Sequence, residues 1–484
     1  MSLPPDQSLQ PASAAGAAPP AESPSGPAAG VLPTTAHELL RRVAREQADG
    51  RAPALVAGVL RSGALVWDGA RGRAGQSAPD TDTQSRIGSI TKTFTAVLVA
   101  RLRDEGRLDF SDPLERHVPG TPLGDRTLAQ LLSHTSGVQA ESDGPWWERT
   151  PGAAWPGLAA TLTDATLRHE AGRRFHYSNV GFAALGEVVA RHRGRSWWEA
   201  LAEEVLAPLE LRRTTYHPQA PHLSGFAVHP WADLLLPEPA HDAGAMAPAG
   251  QLWSTITDLS RWAAFLAGDT GDVLDPDTLA EMREPITVDR APTWTSGYGL
   301  GWQVLKVDGR TLVGHGGSMP GFLAGLYVDV EDELGAVALA NTTSGINPVA
   351  LGSDLISIVA EREPRLPAEW APVASLPESV FDILGGWHWG PAAYVLRVRG
   401  TGELELGPMG NAGRASRFRP NADGTWTGLD GYYAGETLEV VRRPDGSVSH
   451  LNLATFVFTR KPYDPSTPIP GGVDEAGWSG TAGL

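Results

Sequence analysis

The predicted β-strands of this chain fall into two groups that lie far apart in the sequence. The early group follows a helix that starts with a predicted capping box, Thr35 and Glu38, and the late group precedes a helix over residues 348–361. A mainly helical stretch with long loops, residues 108–279, separates the two groups. Both groups must pair into one sheet, so we expect an α+β fold: an antiparallel sheet with flanking helices and a large helical subdomain. The predicted strands are residues 53–60, 64–67, 86–88, 299–307, 311–314, 322–330 and 334–340.

Changes in composition predict the domain boundaries. Residues 363–377 are proline-rich and are predicted to form a linker after a main domain over residues 35–362. Residues 378–463 show short alternating runs with turns, which indicates a small C-terminal antiparallel β-barrel or sandwich. Residues 1–34 are rich in Pro, Ala, Ser and Gly and are predicted to be a disordered tail. Residues 464–484, rich in Gly and Pro, are predicted to be a loose tail.

Charge and cysteine content exclude several classes of function. The net charge of −17 argues against nucleic acid or an anionic membrane as a partner. Cysteine is absent, which excludes disulfides, cysteine nucleophiles and thiolate metal sites. Residues 1–33 have neither the basic start nor the apolar run of a signal peptide, and no apolar run reaches membrane-spanning length. We therefore expect a cytoplasmic protein.

Ser89 and Lys92 form a Ser-x-x-Lys pair at the start of a predicted helix. A spacing of three residues places both side chains on one face of a helix, where the amine can accept the serine proton. The chain has 39 basic residues but only three lysines, Lys92, Lys306 and Lys461. Because arginine does not release its proton in proteins, a lysine here indicates a titratable amine. The alternative is a helix-start serine beside a surface lysine.

Tyr177 and Asn179 lie in a loop immediately before another predicted helix. A nearby lysine ammonium would lower the pKa of a phenol, so that Tyr177 could serve as a general base. Asn179 offers an amide donor and a carbonyl acceptor that suit a substrate amide and the lysine. The alternative is a helix N-terminus with Ser178 or Asn179 as its cap and Tyr177 as a packed aromatic residue.

A glycine-rich strand carries His315, Gly317 and Ser318. Glycines in a strand indicate close approach by another backbone or a ligand, and a substrate could pair with this edge as an added strand. His315 would then line the cleft, and the Ser318 amide could join the Ser89 amide in binding an oxyanion. The alternative is a glycine hairpin with a surface histidine. A second histidine–serine pair, His134 and Ser136, lies at a helix end and is interpreted as structural.

These three motifs, in this order, resemble those of the serine β-lactamase and penicillin-binding-protein superfamily. The branch that fits best contains class C β-lactamases, D-alanyl-D-alanine carboxypeptidases, D-aminopeptidases and esterases, which read Ser-x-x-Lys, Tyr-x-Asn and Lys-Thr-Gly or His-x-Gly. The resemblance covers about residues 35–362. It implies the β-lactamase/transpeptidase-like fold and the following roles: Ser89 is the nucleophile, Lys92 and Tyr177 share the base role, Asn179, His315 and Gly317 bind substrate, and the Ser89 and Ser318 amides form an oxyanion hole.

One departure from the class C pattern bears on the substrate. His315 stands where class C β-lactamases carry lysine, and histidine is only partly charged at neutral pH, so a β-lactam carboxylate would be bound less well. We therefore expect a serine hydrolase acting through an acyl-enzyme on peptide-like amides or esters, above all D-amino-acid-containing peptides. The alternatives are a carboxylesterase, a β-lactamase, a peptide-cyclising acyltransferase, or a catalytically silent binding protein with this fold. No cofactor or metal is expected, since no paired metal-ligand spacing such as His-Glu-x-x-His occurs.

Overall fold

The computed structural model describes residues 30–73, 78–367, 369–373, 375–400, 402–410, 413–462, 473–474 and 477–478. The chain divides into two compact units between Arg365 and Leu366, inside the predicted linker 363–377. Residues 1–29 of the predicted N-terminal tail lie outside the described residues, as does most of the predicted tail 464–484. In the described part of the chain, no helix combines the length and apolar character needed to cross a membrane.

The first unit is built on one large antiparallel sheet with the strand order β2-β1-β12-β11-β10-β9-β8-β7. Early and late strands meet at its centre, where β1 pairs with β12 from Leu55 opposite Ala340 to Arg61 opposite Leu334. The two predicted groups of strands therefore form one sheet. The strands of this unit are β1 (Ala54–Arg61), β2 (Ala64–Gly72), β3 (Ser85–Arg86), β4 (Phe226–Val228), β5 (Leu235–Pro237), β6 (Trp253–Ser254), β7 (Thr287–Val288), β8 (Ser296–Tyr298), β9 (Gln303–Val307), β10 (Arg310–Met319), β11 (Phe322–Asp329) and β12 (Leu334–Ala340).

Helices cover both faces of this sheet because its central strands are apolar on both sides. On β1, Leu55 and Val59 join the core under α1 and α10, whereas Val56 and Leu60 join the core that contains α2, α5 and α8. The α-helices are α1 (Pro33–Asp49), α2 (Thr91–Asp104), α3 (Leu128–Leu132), α4 (Trp155–Ala159), α5 (Asn179–Arg193), α6 (Trp197–Leu201), α7 (Ala247–Gly250), α8 (Ile256–Ala267), α9 (Pro276–Arg283), α10 (Pro348–Arg362) and, in the second unit, α11 (Glu378–Phe381). Short helical turns occur at Gly88–Ile90, Leu114–Arg116, Asp164–Thr166, Ala202–Leu206, Gly244–Met246 and Gly431–Tyr433.

The second unit contains a closed antiparallel barrel, which confirms the predicted C-terminal β domain and selects the barrel over the sandwich. Its core is aromatic and aliphatic, with Trp387 and Phe418 fully buried. The α+β fold class is thus confirmed in both parts. The barrel strands are β13 (Gly385–Trp389), β14 (Ala392–Val398), β15 (Leu404–Pro408), β16 (Ser416–Pro420), β17 (Trp426–Gly428), β18 (Thr437–Arg442), β19 (Val448–Leu453) and β20 (Phe456–Thr459), and a short pair follows, β21 (Val473–Asp474) with β22 (Gly477–Trp478).

The predicted start of the first helix is wrong. The helix α1 begins before Thr35 without a side-chain cap, and Thr35 is buried inside it, so the capping box with Glu38 does not form. In the stretch 108–279, the helix α8 begins at Ile256, directly after the short strand β6, which pairs with β3. Thr255 caps this helix by accepting a hydrogen bond from the Asp258 amide.

The glycine-rich strand β10 is longer than predicted. Over its second half it pairs with only one neighbouring strand. It pairs with β11 over residues 312–319 but with β9 only as far as Gly314. The turn that precedes α2 packs against it so closely that a Cβ on Gly317 would lie 1.9 Å from the Ile87 carbonyl oxygen. Glycine at 317 is therefore what allows the Gly88–Ile90 turn to lie against the strand.

This contact predicts the effect of adding one methyl group. Gly317→Ala should reduce the free energy of unfolding of the first unit by roughly 1–3 kcal/mol, because the strand or the turn must move to admit Cβ. The matched control is Gly352→Ala in α10, where the new Cβ meets only ordinary contacts at 3.5 Å or more, and where alanine is the better helix former. Chemical denaturation of both variants checks this; equal stability of the two variants would refute the packing argument.

Candidate active site

Ser89 lies in the turn Gly88–Ile90, and Lys92 lies one turn further, in the first turn of α2. The Ser89 hydroxyl is half-buried, whereas Lys92 is fully buried. Lys92 Nζ is 2.9 Å from Ser89 Oγ and donates a second hydrogen bond of 2.6 Å to the carbonyl oxygen of Ala249 in α7. The predicted contact between the serine and the amine is present, and the alternative of a surface lysine is excluded.

Burial changes the acid–base behaviour of Lys92. Removal from water lowers its pKa from 10.5 to about 7, although the carboxylates of Glu141 and Glu148 partly oppose this by favouring the ammonium. A large fraction of Lys92 is therefore a neutral amine at neutral pH. With one N–H directed to the Ala249 carbonyl oxygen, the amine can present its lone pair to the Ser89 hydroxyl.

Tyr177 completes the group around Ser89. Its hydroxyl lies beside Ser89, which interacts with it and partly lowers its pKa, and Lys92 Nζ is 4.9 Å from the centre of its ring. Burial raises the pKa of Tyr177 above that of a free phenol, and Glu141 and Glu148 raise it further. The direction of this shift is opposite to the lowered pKa that a tyrosinate at neutral pH requires.

His134 supports the loop that carries Tyr177. The backbone of His134 has a left-handed φ of 56°, which turns its ring under this loop. His134 Nδ1 accepts a hydrogen bond of 3.0 Å from the Ser178 amide, its carbonyl oxygen accepts one of 2.7 Å from the His176 amide, and its ring centre lies 4.1 Å from that of Tyr177. The neighbouring Ser136 Oγ accepts a hydrogen bond from the Val138 amide. Within the described residues, neither member of the pair hydrogen-bonds to Ser89. His134 instead supports the loop that carries Tyr177 and packs against the Tyr177 ring.

Asn179 is held by an acidic residue that the sequence analysis did not identify. Asn179 Nδ2 donates to both oxygens of Glu141, at 2.8 and 3.0 Å, and Trp147 Nε1 donates to the same carboxylate at 2.7 Å. The amide donor of Asn179, predicted to bind substrate, is thus occupied by Glu141. No sequence signal pointed to Glu141, which lies in an irregular loop 38 positions before Asn179.

His315 is buried rather than exposed at the surface, and both of its ring nitrogens are engaged. Nδ1 lies 2.5 Å from the Gly316 carbonyl oxygen, which can only accept, so Nδ1 carries the proton and Nε2 accepts from the Tyr298 hydroxyl at 2.9 Å. Burial and the nearby Lys92 lower the pKa of His315 to about 3. Histidine here is therefore a neutral residue at physiological pH, and Tyr298 is a second group that the sequence analysis missed.

The unpaired edge of β10 faces the Ser89 turn. The Gly316 amide points away from β11 and donates to Gln303 Oε1 at 3.2 Å. Because bonding to one neighbour alternates along an antiparallel strand, the Ser318 amide points the same way. Added Cβ atoms show how close these backbones are: one on Gly88 would lie 2.5 Å from Ser318 N, and one on Gly317 would lie 3.3 Å from Ser89 N. The two amides predicted to form an oxyanion hole thus border one small space.

Taken together, the fold and the grouping of Ser89, Lys92 and Tyr177 indicate a β-lactamase-like protein. The chain matches the Beta-lactamase family over residues 39–361, well over half of its length, and the protein belongs to this family. The resemblance drawn from the three motifs is therefore confirmed. Residues 376–460, which contain the barrel, match a domain of unknown function, DUF7586.

Relatives of the chain include penicillin-binding proteins and amidohydrolases. The chain is 28% identical to penicillin-binding protein 4 of Amycolatopsis lactamdurans, over 62% of this chain and 79% of that protein. It is 25% identical to the D-alanyl-D-alanine-carboxypeptidase/endopeptidase AmpH of Escherichia coli (strain K12), over 59% of this chain and 79% of that protein. Among solved structures, a D-stereospecific amidohydrolase from a Streptomyces species is 26% identical, with a TM-score of 0.57 over 68% of this chain and 99% of that chain.

The carboxylates around Lys92 predict a directional change in the pH dependence of Ser89 acylation. Glu141→Gln removes a charge that favours the Lys92 ammonium, so the pKa of Lys92 falls and the rising limb of the profile moves to lower pH. The pH dependence of the rate at which a fluorophosphonate labels Ser89 measures this. Glu170→Gln, at an exposed residue that pairs with Arg173, is the control and should leave the profile in place. A shift of the Glu141→Gln profile to higher pH would contradict the assignment.

Proposed function

We propose that the protein is a serine hydrolase that acts through an acyl-enzyme on Ser89. One observation carries the proposal: a half-buried serine hydroxyl contacts both a buried amine, 2.9 Å away, and a phenol, beside an unpaired strand edge. Acyl transfer requires a nucleophile, a base whose pKa lies near the working pH and a proton donor.

In the acylation step, Ser89 Oγ attacks the substrate carbonyl carbon and its proton passes to the neutral Lys92 amine. The carbonyl oxygen becomes an oxyanion, which the Ser89 and Ser318 amides stabilise. The bond to the leaving nitrogen or oxygen then breaks, and that atom takes the proton of the Tyr177 hydroxyl. The Lys92 ammonium returns a proton to the Tyr177 oxygen, so that both groups end the step in their starting states.

In the deacylation step, water takes the place of the leaving group. Water loses a proton to the same pair and adds to the acyl carbon, the bond to Ser89 Oγ breaks, and Ser89 is protonated again. The raised pKa of Tyr177 favours its use as a donor, and the lowered pKa of Lys92 favours its use as an acceptor. We therefore propose that Lys92 takes the first proton, a point that the sequence left open.

The charges at the site favour a substrate with a free amino group and no carboxylate beside the scissile bond, and we propose a D-amino-acid amide as that substrate. His315 is neutral, and the carboxylates near Lys92 and Tyr177 are those of Glu141, which is exposed, and Glu148, which is half-buried. Such a site attracts a free amino group and repels a carboxylate. The name of the D-stereospecific amidohydrolase gives the same substrate class for that relative. Ester hydrolysis is the second candidate function, since the proposed steps are the same for an alcohol as leaving group.

Replacement of the nucleophile tests the proposal directly. Ser89→Ala should reduce hydrolysis of D-phenylalanine amide and of an activated ester by roughly 10⁴-fold, because the nucleophile itself is lost. Ser379→Ala, at an exposed position in α11, should leave both rates unchanged. Mass spectrometry of the wild-type protein after reaction with a fluorophosphonate should show one adduct on Ser89. Absence of both turnover and adduct would favour the catalytically silent binding protein.

The pKa of Lys92 predicts the pH dependence of the wild-type reaction. The neutral amine is the active form and its pKa is about 7, so kcat/KM should rise roughly tenfold per pH unit below that value and level off above it. His315, with a pKa of about 3, should add no further limb between pH 5 and 9. Stopped-flow measurement of ester hydrolysis across this range checks the profile. A rate that falls as the pH rises through 7 would show that the ammonium form is the active one.

A further inference from the structure

A cavity of about 230 Å³ lies beside Tyr177, and the catalytic steps proposed above leave it unused. Its walls come from three places: the Tyr177 loop, the β7–β8 hairpin that the sequence analysis missed, and the start of β9. Aromatic rings form much of the wall, because Phe175, Tyr177 and Tyr298 all line it. A cavity of about 150 Å³ is enough to hold benzene in another protein, so this one has room for a phenyl or branched alkyl group.

Two observations place this cavity on the leaving-group side of the scissile bond. First, Tyr177 is one of its walls, and in the proposed reaction Tyr177 protonates the leaving atom. Second, the unpaired edge of β10 leads to it: Ser318 lies at the oxyanion end, Gly316 comes next, and the Gly316 amide is bonded to Gln303, which lines the cavity. A substrate laid along this edge with its oxyanion at Ser318 therefore directs one end of its chain into the cavity.

The charge on the cavity wall restricts the chemistry of the substrate end that enters the cavity. The described residues that line it include no lysine, arginine or histidine, but they do include Asp289. Asp289 accepts hydrogen bonds from the Thr295 hydroxyl and amide and from the Ser296 amide, which hold the pKa of this carboxyl below its ordinary value. The wall thus carries a fixed negative charge that repels a carboxylate.

We propose that this cavity binds the leaving group and selects an uncharged apolar amine or alcohol over an amino acid with a free carboxylate. The inference rests on the proposed function and extends it to a second part of the substrate. When the acyl carbon–nitrogen or carbon–oxygen bond breaks, the leaving atom takes the Tyr177 proton and its apolar group occupies the cavity. A carboxypeptidase-type leaving group would instead place its carboxylate next to Asp289.

Three esters of D-phenylalanine test the proposal on the wild-type protein. The methyl, benzyl and 4-carboxybenzyl esters share one acyl group, and the last two share a benzyl ring but differ by a charged para carboxylate. We expect kcat/KM, corrected for the intrinsic reactivity of each ester, to be roughly tenfold higher for benzyl than for either of the others. Equal values for the benzyl and 4-carboxybenzyl esters, or a preference for the methyl ester, would overturn the proposal.

Variants of Val288, an exposed residue of β7 that lines the cavity, give a second reading. Val288→Trp should fill the cavity and lower the benzyl-to-methyl ratio roughly tenfold, and Val288→Lys should raise the 4-carboxybenzyl-to-benzyl ratio by a similar factor. Ile286→Trp, at an exposed residue close by that does not line the cavity, should change neither ratio. Unchanged ratios in both Val288 variants would show that the leaving group binds outside this cavity and would overturn the proposal.

The outcomes also separate this proposal from the one on which it rests. Methyl ester hydrolysis with a Ser89 adduct but no benzyl preference would leave the serine hydrolase in place and overturn the leaving-group cavity alone. Failure of all three esters, together with no fluorophosphonate adduct on Ser89, would overturn both.

Discussion

The buried amine of Lys92 is the constraint on which the site depends. A charged ammonium is costly to remove from water, so burial shifts the pKa of Lys92 to about 7 and makes the neutral form available. Only the Ala249 carbonyl and the Ser89 hydroxyl bond to this amine within the described residues. An arginine at 92 could not serve, because it would keep its charge at any depth. This explains why a chain with only three lysines among its 39 basic residues places one of them at this position.

Burial acts on Tyr177 with the opposite result, and this separates the roles of the two residues. The same exclusion of water that lowers the pKa of an amine raises that of a phenol. Two neighbouring groups therefore become a proton acceptor and a proton donor without any ion pair between them. His134 supports this arrangement: its ring packs against Tyr177, and its Nδ1 and carbonyl oxygen accept hydrogen bonds from the Ser178 and His176 amides of the Tyr177 loop.

The features that could be predicted from the sequence depend on residues close together in the chain or on a pattern that repeats along it. Ser89 and Lys92 meet because three residues of helical turn bring them together, and the central strands follow from their apolar runs. Partners joined only by tertiary structure were missed, such as Glu141 with Asn179 and Tyr298 with His315. The strands β7 and β8 were also missed, since two or three residues each are too short to show a period. The raised pKa of Tyr177 was not foreseen, because the surroundings of a side chain are not visible in a motif.

The neutral state of His315 links the fold to the choice of substrate. Gly317 lets the Ser89 turn pack on β10, and the same packing helps to bury the strand residue two positions earlier. A lysine at 315 would have to carry its charge to solvent or to a substrate carboxylate, whereas a histidine can be satisfied internally by Tyr298 and the Gly316 carbonyl. Once both ring nitrogens are bonded within the protein, no cation remains at this position to bind a carboxylate. Under the proposed function, the carboxylates of Glu141 and Asp289 then set the sign of the field that a substrate meets, and the neutral histidine leaves that field uncompensated.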